Sequence, residues 1–238
     1  MISSLHLIRR TLRRLGVDVR PATPNLRDFI EDRKIDLVLD VGANVGQFGT
    51  SLRNRGYRGK IVSFEPLDSE YQWLATVAAS DGSWEAHQFA LGATAEVTTI
   101  NVSDNSVFSS IQALNTVANE FDSRTVVRRI ETIRVRTLDE IFPDLGGNVL
   151  LKIDTQGYEK QVLEGGRQML PRLKGILLEL PIIRIYQDTW KFHEAAEFMA
   201  SIGFVPAQIE PVSYHTKDRV SLVEVDCLFR PHDKRLDC

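Results

Sequence analysis

Cysteine is scarce, and long hydrophobic runs are missing. Cys227 and Cys238 are the only thiols in 238 residues, which excludes a disulfide framework and any zinc site built from four cysteines. So few thiols suit a reducing compartment. No stretch approaches the roughly 18 apolar residues that span a bilayer, and the basic N-terminus lacks the apolar core of a secretory signal. Neither sign of charge dominates. With 29 Lys+Arg against 32 Asp+Glu the net charge is -3, so bulk attraction to nucleic acid is not expected and no nucleic-acid partner is assigned. No internal repeat or low-complexity linker occurs, and the 15 glycines and nine prolines are dispersed. The sequence also lacks a G-x-x-x-x-G-K-[ST] phosphate loop, a D/N-P-P-Y/F/W segment and a Pro-Cys nucleophile. What remains is 43% hydrophobic and 26% charged, a composition that folds rather than stays disordered. At about 150 residues per domain the length supports one α/β domain able to bury a full core. The expected setting is cytoplasmic.

The hydrophobic pattern alternates between two periods. Short apolar runs at 35–41, 60–65, 85–90, 149–153 and 175–180 read as strands, with a final pair near 204–209 and 221–229. Helical spacing falls at 25–33, 46–55, 68–80, 158–170 and 190–202. Strands alternating with helices imply βαβ units and a mostly parallel sheet covered on both faces. Residues 92–147 break the rhythm. Alternation at Val97, Thr99 and Asn101, and at Ile133, Val135 and Thr137, predicts two extra strands flanking a polar stretch at 104–110. That insertion reads either as a substrate lid or as an ordinary excursion. Arg124, Arg128, Arg129, Arg134 and Arg136 lie there, as a solvated face or as a patch for an anionic substrate or a membrane surface. Further upstream, Leu5, Ile8, Leu12 and Leu15 share a helical face, with Arg9, Arg10, Arg13 and Arg14 largely elsewhere. This helix either packs on the domain or makes peripheral contact with an anionic membrane, at its inner face. The organisation is an extension at 1–34, a main domain at 35–230 and a tail at 231–238.

Three segments carry chemistry. The first, Asp40-Val41-Gly42-Ala43-Asn44-Val45-Gly46-Gln47-Phe48-Gly49, lies between the first strand and its helix, where open α/β sheets bind ligands. Gly42 and Gly46 let backbone approach a ligand, and Asn44 tolerates a left-handed conformation. The register from Gly42 is G-x-x-x-G-x-x-G, with Asn44 where a dinucleotide fingerprint has its second glycine. Asp40, two residues before Gly42, suits a cationic group better than a pyrophosphate. S-adenosylmethionine, with an ammonium and a sulfonium, fits. The second segment is Glu65 in Ser63-Phe64-Glu65-Pro66, a strand-end carboxylate able to accept both ribose hydroxyls. The third is Leu151-Lys152-Ile153-Asp154-Thr155-Gln156-Gly157-Tyr158-Glu159. Lys152 and Asp154 share a strand face, which predicts an ion pair in the crevice.

These residues resemble the FkbM family of S-adenosylmethionine-dependent methyltransferases. The segments that carry the resemblance are DVGANVGQFG (40–49), SFEP (63–66), FALG (89–92), the serine pair at 109–110, RTLDEI (136–141), LLKIDTQGYEKQVLEGG (150–166) and LLEL (177–180). The resemblance implies a class I methyltransferase fold, a Rossmann-like seven-stranded sheet with helices on both faces and an antiparallel last strand. It implies methyl transfer to a hydroxyl of a sugar, glycolipid or similar secondary metabolite, as in actinobacterial relatives. By position, Gly42, Ala43, Asn44 and Gly46 would wrap the methionine portion and Asp40 would reach its ammonium, directly or through water. Glu65 would hold the ribose, Phe89 and Ala90 would border the adenine, and Asp154 would lie near the methyl group.

Methylating a hydroxyl requires removal of its proton. The candidate bases are, in order, Asp154, Glu179 at the end of an apolar strand, and His193 on a helix. A divalent cation such as Mg2+, held by Asp154 and Glu179, could replace the base; the choice is left open. Arg184, Tyr186 and Trp190 form a candidate surface for a sugar or carboxylate. Two other readings compete. One is a non-catalytic Rossmann-like binding module. The other is an NAD-dependent oxidoreductase, which the glycine register disfavours.

Overall fold

The computed structural model describes residues 12, 14, 23–103, 109–111, 127–184 and 189–233. Leu12 and Arg14 are helical, and the rest of the basic N-terminal helix lies outside the described residues, as do Asp104 to Phe108, Arg124 and Tyr186. In chain order the elements are α1 (Leu26–Asp32), β1 (Leu37–Val41), α2 (Gln47–Asn54), β2 (Lys60–Phe64), α3 (Asp68–Ala79), β3 (Trp84–His87), β4 (Ala90–Leu91) and β5 (Glu96–Ser103). They continue as β6 (Val127–Arg136), α4 (Leu138–Ile141), β7 (Val149–Ile153), α5 (Glu159–Glu164), β8 (Gly175–Pro181), α6 (Phe192–Ser201), β9 (Phe204–Tyr214) and β10 (Leu222–Pro231).

Seven strands form the main sheet in the order β3-β2-β1-β7-β8-β10-β9. The pairings from β3 to β8 are parallel, and β10 runs antiparallel to both of its neighbours. Crossing from β3 to β7 reverses the winding beside β1. That reversal opens a crevice at the carboxyl ends of β1 and β7, the usual ligand position in such sheets. Alternate residues of each buried strand supply two cores. Leu39, Leu151, Ile176 and Leu178 meet Val162 and Leu163 of α5 and Met199 of α6. Val38, Leu150, Leu177 and Leu228 meet Phe29 and Ile30 of α1, Leu52 of α2 and Leu74 of α3. Helices therefore cover both faces, as expected. Local signals set the helix starts: Asn25 and Asp28 form a capping box at α1, and the Thr137 side chain caps α4. Among the described residues, no helix is long and apolar enough to cross a membrane.

Three boundaries differ from those predicted by sequence. The third strand ends at His87 rather than residue 90. Phe89 turns out of the ladder to pack on Phe64, with ring centroids 5.4 Å apart, and Ala90 pairs with Val135 in a separate sheet of order β4-β6-β5. The helix expected over 158–170 stops at Glu164, where Gly165 caps it, and a short 3-10 turn follows at Leu170–Arg172. The strand expected near 204–209 runs on to Tyr214, while the one expected near 221–229 is displaced slightly, to Leu222–Pro231. The two extra strands of the insertion are β5 and β6, paired antiparallel, except that Thr137 belongs to the α4 cap.

Candidate functional site

A cavity of about 320 Å3 opens at the reversal point, bounded by the loop after β1, the end of β2, the loop after β7 and the end of β8. The small sheet roofs it with Ile100, and Ser109 and Ile111 join the wall. The insertion thus borders the site.

The loop after β1 is held by backbone. Gly42 and Ala43 N–H groups donate to the Phe64 carbonyl at 3.1 and 3.0 Å, and the Asp154 N–H donates to the Val41 carbonyl at 3.0 Å. Gly42 has φ +73°, and a Cβ there would overlap the Asp154 carbonyl oxygen; only glycine lets the two loops lie this close. Asn44 has the left-handed φ of +49° expected of it, and its Oδ1 accepts the Val45 N–H at 2.9 Å. Glu65 fastens this loop to the next. One of its oxygens accepts the Asn44 N–H at 2.8 Å and the other the Leu67 N–H at 3.0 Å. Burial pushes the Glu65 carboxyl up to about 7, against the opposing pull of those two N–H donors.

Asp40 does not face the cavity. It is fully buried within the sheet, where its lateral neighbours are Ser63 on β2 and Lys152 on β7. Lys152 Nζ lies 3.1 Å from its Oδ1, and the Ser63 hydroxyl donates to its Oδ2 at 3.2 Å. Trp84 Nε1 in turn donates to Ser63 at 3.0 Å. The residue expected to reach a ligand ammonium is therefore committed to the framework, because Lys152 is the cation it meets. Lys152 also donates to the Gly42 carbonyl at 3.1 Å, lies 3.5 Å from Asp154 Oδ2, and stands over the Phe48 ring at 5.5 Å. Burial disfavours its charge, but Asp40 and then Asp154 outweigh that and raise its pKa. The ion pair expected between Lys152 and Asp154 is present, as part of a triad with Asp40.

Asp154 and Glu179 line the cavity together. Gln156 joins them: its Nε2 donates to Asp154 Oδ1 at 2.8 Å and to Glu179 Oε1 at 3.1 Å. Gln156 holds a left-handed φ of +53°, and the Ser110 hydroxyl donates to its carbonyl at 2.6 Å. Glu159 fixes the same turn by accepting the Thr155 and Gly157 N–H groups at 3.0 and 2.9 Å. Asp226 and Glu224 on β10 stand beside Glu179, with Asp226 its direct lateral partner. Burial, then the charges of Asp154, Glu224 and Asp226, push Glu179 well above the usual carboxylate range, while the Gln156 hydrogen bond pulls against them. Burial and Asp154 bring Asp226 up to about 6.

Of the candidate residues, the structure gathers Gly42, Ala43, Asn44, Glu65, Ala90, Asp154 and Glu179 around one cavity. Gly46 sits one step back, as the left-handed N-cap of α2 with φ 89°. Phe89 packs on Phe64 and under Arg136 rather than in the cavity wall. His193 is exposed on α6 and is not in that wall. Trp190 is buried against Phe198 and Arg184 pairs with Glu194 at 2.8 Å, so neither joins the site. In the basic cluster, Arg129 pairs with Glu131 and Arg136 with Glu140, the behaviour of a solvated face. Among the described residues, no group of three or more His, Cys, Asp or Glu is arranged to hold a metal ion. Sequence reading missed Gln156 and Asp226. The signals were a polar residue before Gly157, and charges at 224 and 226 interrupting an apolar strand.

Among curated proteins none matches the chain. Solved structures do. Magnesium protoporphyrin IX methyltransferase from Synechocystis PCC 6803 with bound SAM is similar at 11% identity and a TM-score of 0.47, over 95% of this chain and 96% of that one. Fibrillarin from Aeropyrum pernix, with natively bound S-adenosyl-L-methionine, is similar at 12% identity and 0.47, over 82% and 66%. LepI in complex with SAM is similar at 11% identity and 0.44, over 90% of this chain and 50% of that one. The chain thus spans about half the length of LepI and two thirds of fibrillarin. The family model described as the methyltransferase FkbM domain matches residues 40–206, which includes the glycine loop, Glu65, Asp154 and Glu179. The chain belongs to the FkbM methyltransferase family and is an S-adenosylmethionine-dependent methyltransferase.

Proposed function

We propose that the chain methylates a hydroxyl of a sugar, glycolipid or similar secondary metabolite, with Glu179 as the base. The observation that carries this reading is the Asp154–Gln156–Glu179 bridge in the cavity wall, at 2.8 and 3.1 Å.

The cavity suits the cofactor. Gly42 lets the loop after β1 lie in backbone contact with Asp154, which brings Ala43, Asn44 and Asp154 into one wall of the cavity. Each Glu65 oxygen accepts one N–H and keeps a further lone pair for a ribose hydroxyl. Ala90 would border the adenine. Asp154 takes over from Asp40 as the carboxylate that meets the methionine ammonium. When bound, the cofactor supplies an electrophilic methyl group on a sulfonium.

Ribose hydroxyls donate to the ionised form of Glu65. Its carboxyl titrates at about 7, so affinity for S-adenosylhomocysteine falls as pH drops through 7 and is full above it. Hydrogen bonds to a charged group contribute about 1.5–3 kcal/mol, so Glu65→Ala weakens binding roughly 10- to 100-fold and flattens this dependence. Calorimetric titrations between pH 6 and 8 check both effects. Undiminished affinity in the variant contradicts the ribose assignment.

A sugar hydroxyl is a weak acid and needs a base of raised proton affinity. Glu179 Oε1 accepts from Gln156, which leaves Oε2 to take the hydroxyl proton. Burial and three neighbouring carboxylates raise its proton affinity, while Asp154 is tied to Lys152 at 3.5 Å. Proton transfer by a positioned base contributes about 10²- to 10⁴-fold. Glu179→Gln is expected to lower turnover by that amount and leave S-adenosylhomocysteine affinity within about twofold. The direct test supplies labelled S-adenosylmethionine with free sugars and alkyl glycosides. Label in a base-stable methyl ether supports the reading. Label in a base-labile ester, or in no sugar at all, contradicts it.

A further inference from the structure

A second cavity, of about 440 Å3, lies against the face of the main sheet that presents Leu177 and Leu228. Strand register describes its floor. Lateral partners on neighbouring strands project to the same face. One such row crosses six strands: Ser63, Asp40, Lys152, Leu177, Leu228 and Gln208. It is polar at Ser63, Asp40 and Lys152 and becomes apolar at Leu177 and Leu228, which line the second cavity. A parallel row, nearer the carboxyl end of β8, runs Glu179, Asp226 and Glu210. Ile30 of α1 and Leu52 of α2 form the opposite wall, and exposed Lys34 and Arg55 stand at the mouth.

The two cavities meet. Phe48, Leu177 and Asp226 line both. At that junction Asp226 is the lateral partner of Glu179. A guest in the second cavity therefore lies on aliphatic side chains, with one end directed at the proposed base. Apolar surface facing a water-accessible cavity favours an apolar guest, by roughly 25 cal/mol per Å2 removed from water.

We propose that the second cavity binds the apolar portion of the methyl acceptor, an amphiphile whose hydroxyl-bearing end reaches the Glu179–Asp226 junction. This rests on the hydroxyl-methylation reading above. It adds that the acceptor carries an aliphatic or aromatic body, and that the body is recognised between α1, α2 and the β8–β10 surface, apart from the cofactor.

The test measures binding of n-octyl and methyl β-D-glucoside to the full chain saturated with S-adenosylhomocysteine, by calorimetry at submicellar concentrations. Each fully buried methylene adds about fourfold, so the octyl compound is expected to bind at least about tenfold tighter. Leu228→Trp fills the cavity and removes that advantage, with S-adenosylhomocysteine affinity unchanged. Leu228 is 2% exposed and the bulkier side chain there can prevent folding. Ser51→Phe, from a half-buried position on α2 that lines the same cavity, is the second variant and is expected to act alike. Equal affinity for the two glucosides, no binding of either, or an octyl advantage that survives filling of the cavity overturns the proposal. Methyl transfer from S-adenosylmethionine, measured in parallel with the same proteins and glucosides, separates this proposal from the reading it rests on. Chain-length-dependent binding, lost on filling and with no methyl ether formed, contradicts sugar methylation and leaves the cavity's apolar preference standing. Transfer that ignores chain length contradicts the cavity assignment alone.

Discussion

Lys152→Met is expected to destabilise the protein by about 3–5 kcal/mol, the cost of leaving one partner of a buried ion pair unopposed. Asp40 is fully buried, and the Lys152 side chain is only 10% exposed. Without the ammonium, Asp40 keeps only the Ser63 hydroxyl at 3.2 Å. At a domain of this size the loss corresponds to a fall in Tm of about 10 °C, readable by calorimetry. The double variant Asp40→Asn, Lys152→Met should recover part of the loss. A Tm within about 2 °C of the parent would show that the triad is not a buried electrostatic unit.

Gly42→Ala is expected to have an effect as large, by a different route. Its φ of +73° is disfavoured for any residue with a Cβ. The added carbon would also overlap the Asp154 carbonyl oxygen, so the loops after β1 and β7 must separate. That movement breaks the Asp154 N–H bond to Val41 and the Lys152 bond to Gly42, and it shifts Asp154 in the cavity wall. Cofactor binding is expected to be lost, with stability falling by an amount typical of severe backbone strain, about 4 kcal/mol or more. Titration of the variant with S-adenosylhomocysteine at a temperature where it remains folded distinguishes the two effects. Retained affinity would mean that close approach of the two loops is not what builds the site.

Legibility followed the range of the physical signal. The glycine loop could be read because its constraint is local: a left-handed Asn44 and close backbone both depend on residue type. The position of Glu65 and Asp154 in the cavity wall was legible because strand ends at the reversal of a parallel sheet face the crevice. The surroundings of Asp40 were not legible because they depend on register. Nothing in residues 40–49 tells that Lys152 on β7 and Ser63 on β2 lie level with it. Phe89 was misplaced because an apolar run looks continuous, whereas the chain leaves one sheet at His87 and enters another at Ala90. The short α4 was invisible, since four residues carry no period. Gln156 and Asp226 became visible only when the turn after β7 and the antiparallel β10 were brought against Glu179. Long-range pairing, rather than composition, determines the proton affinity of that carboxylate.

The most direct test of the central claim is a thermal-shift titration of the full chain with S-adenosylmethionine, S-adenosylhomocysteine and NAD in parallel. A ligand at about 100 times its dissociation constant stabilises the folded state by roughly 2.7 kcal/mol, or on the order of 5–10 °C at this size. A shift of that size is expected with both adenosyl sulfur ligands and none with NAD, and it should be abolished in Gly42→Ala and reduced in Glu65→Ala. A shift with NAD alone, or none with either sulfur ligand, would contradict the assignment of the cavity to S-adenosylmethionine.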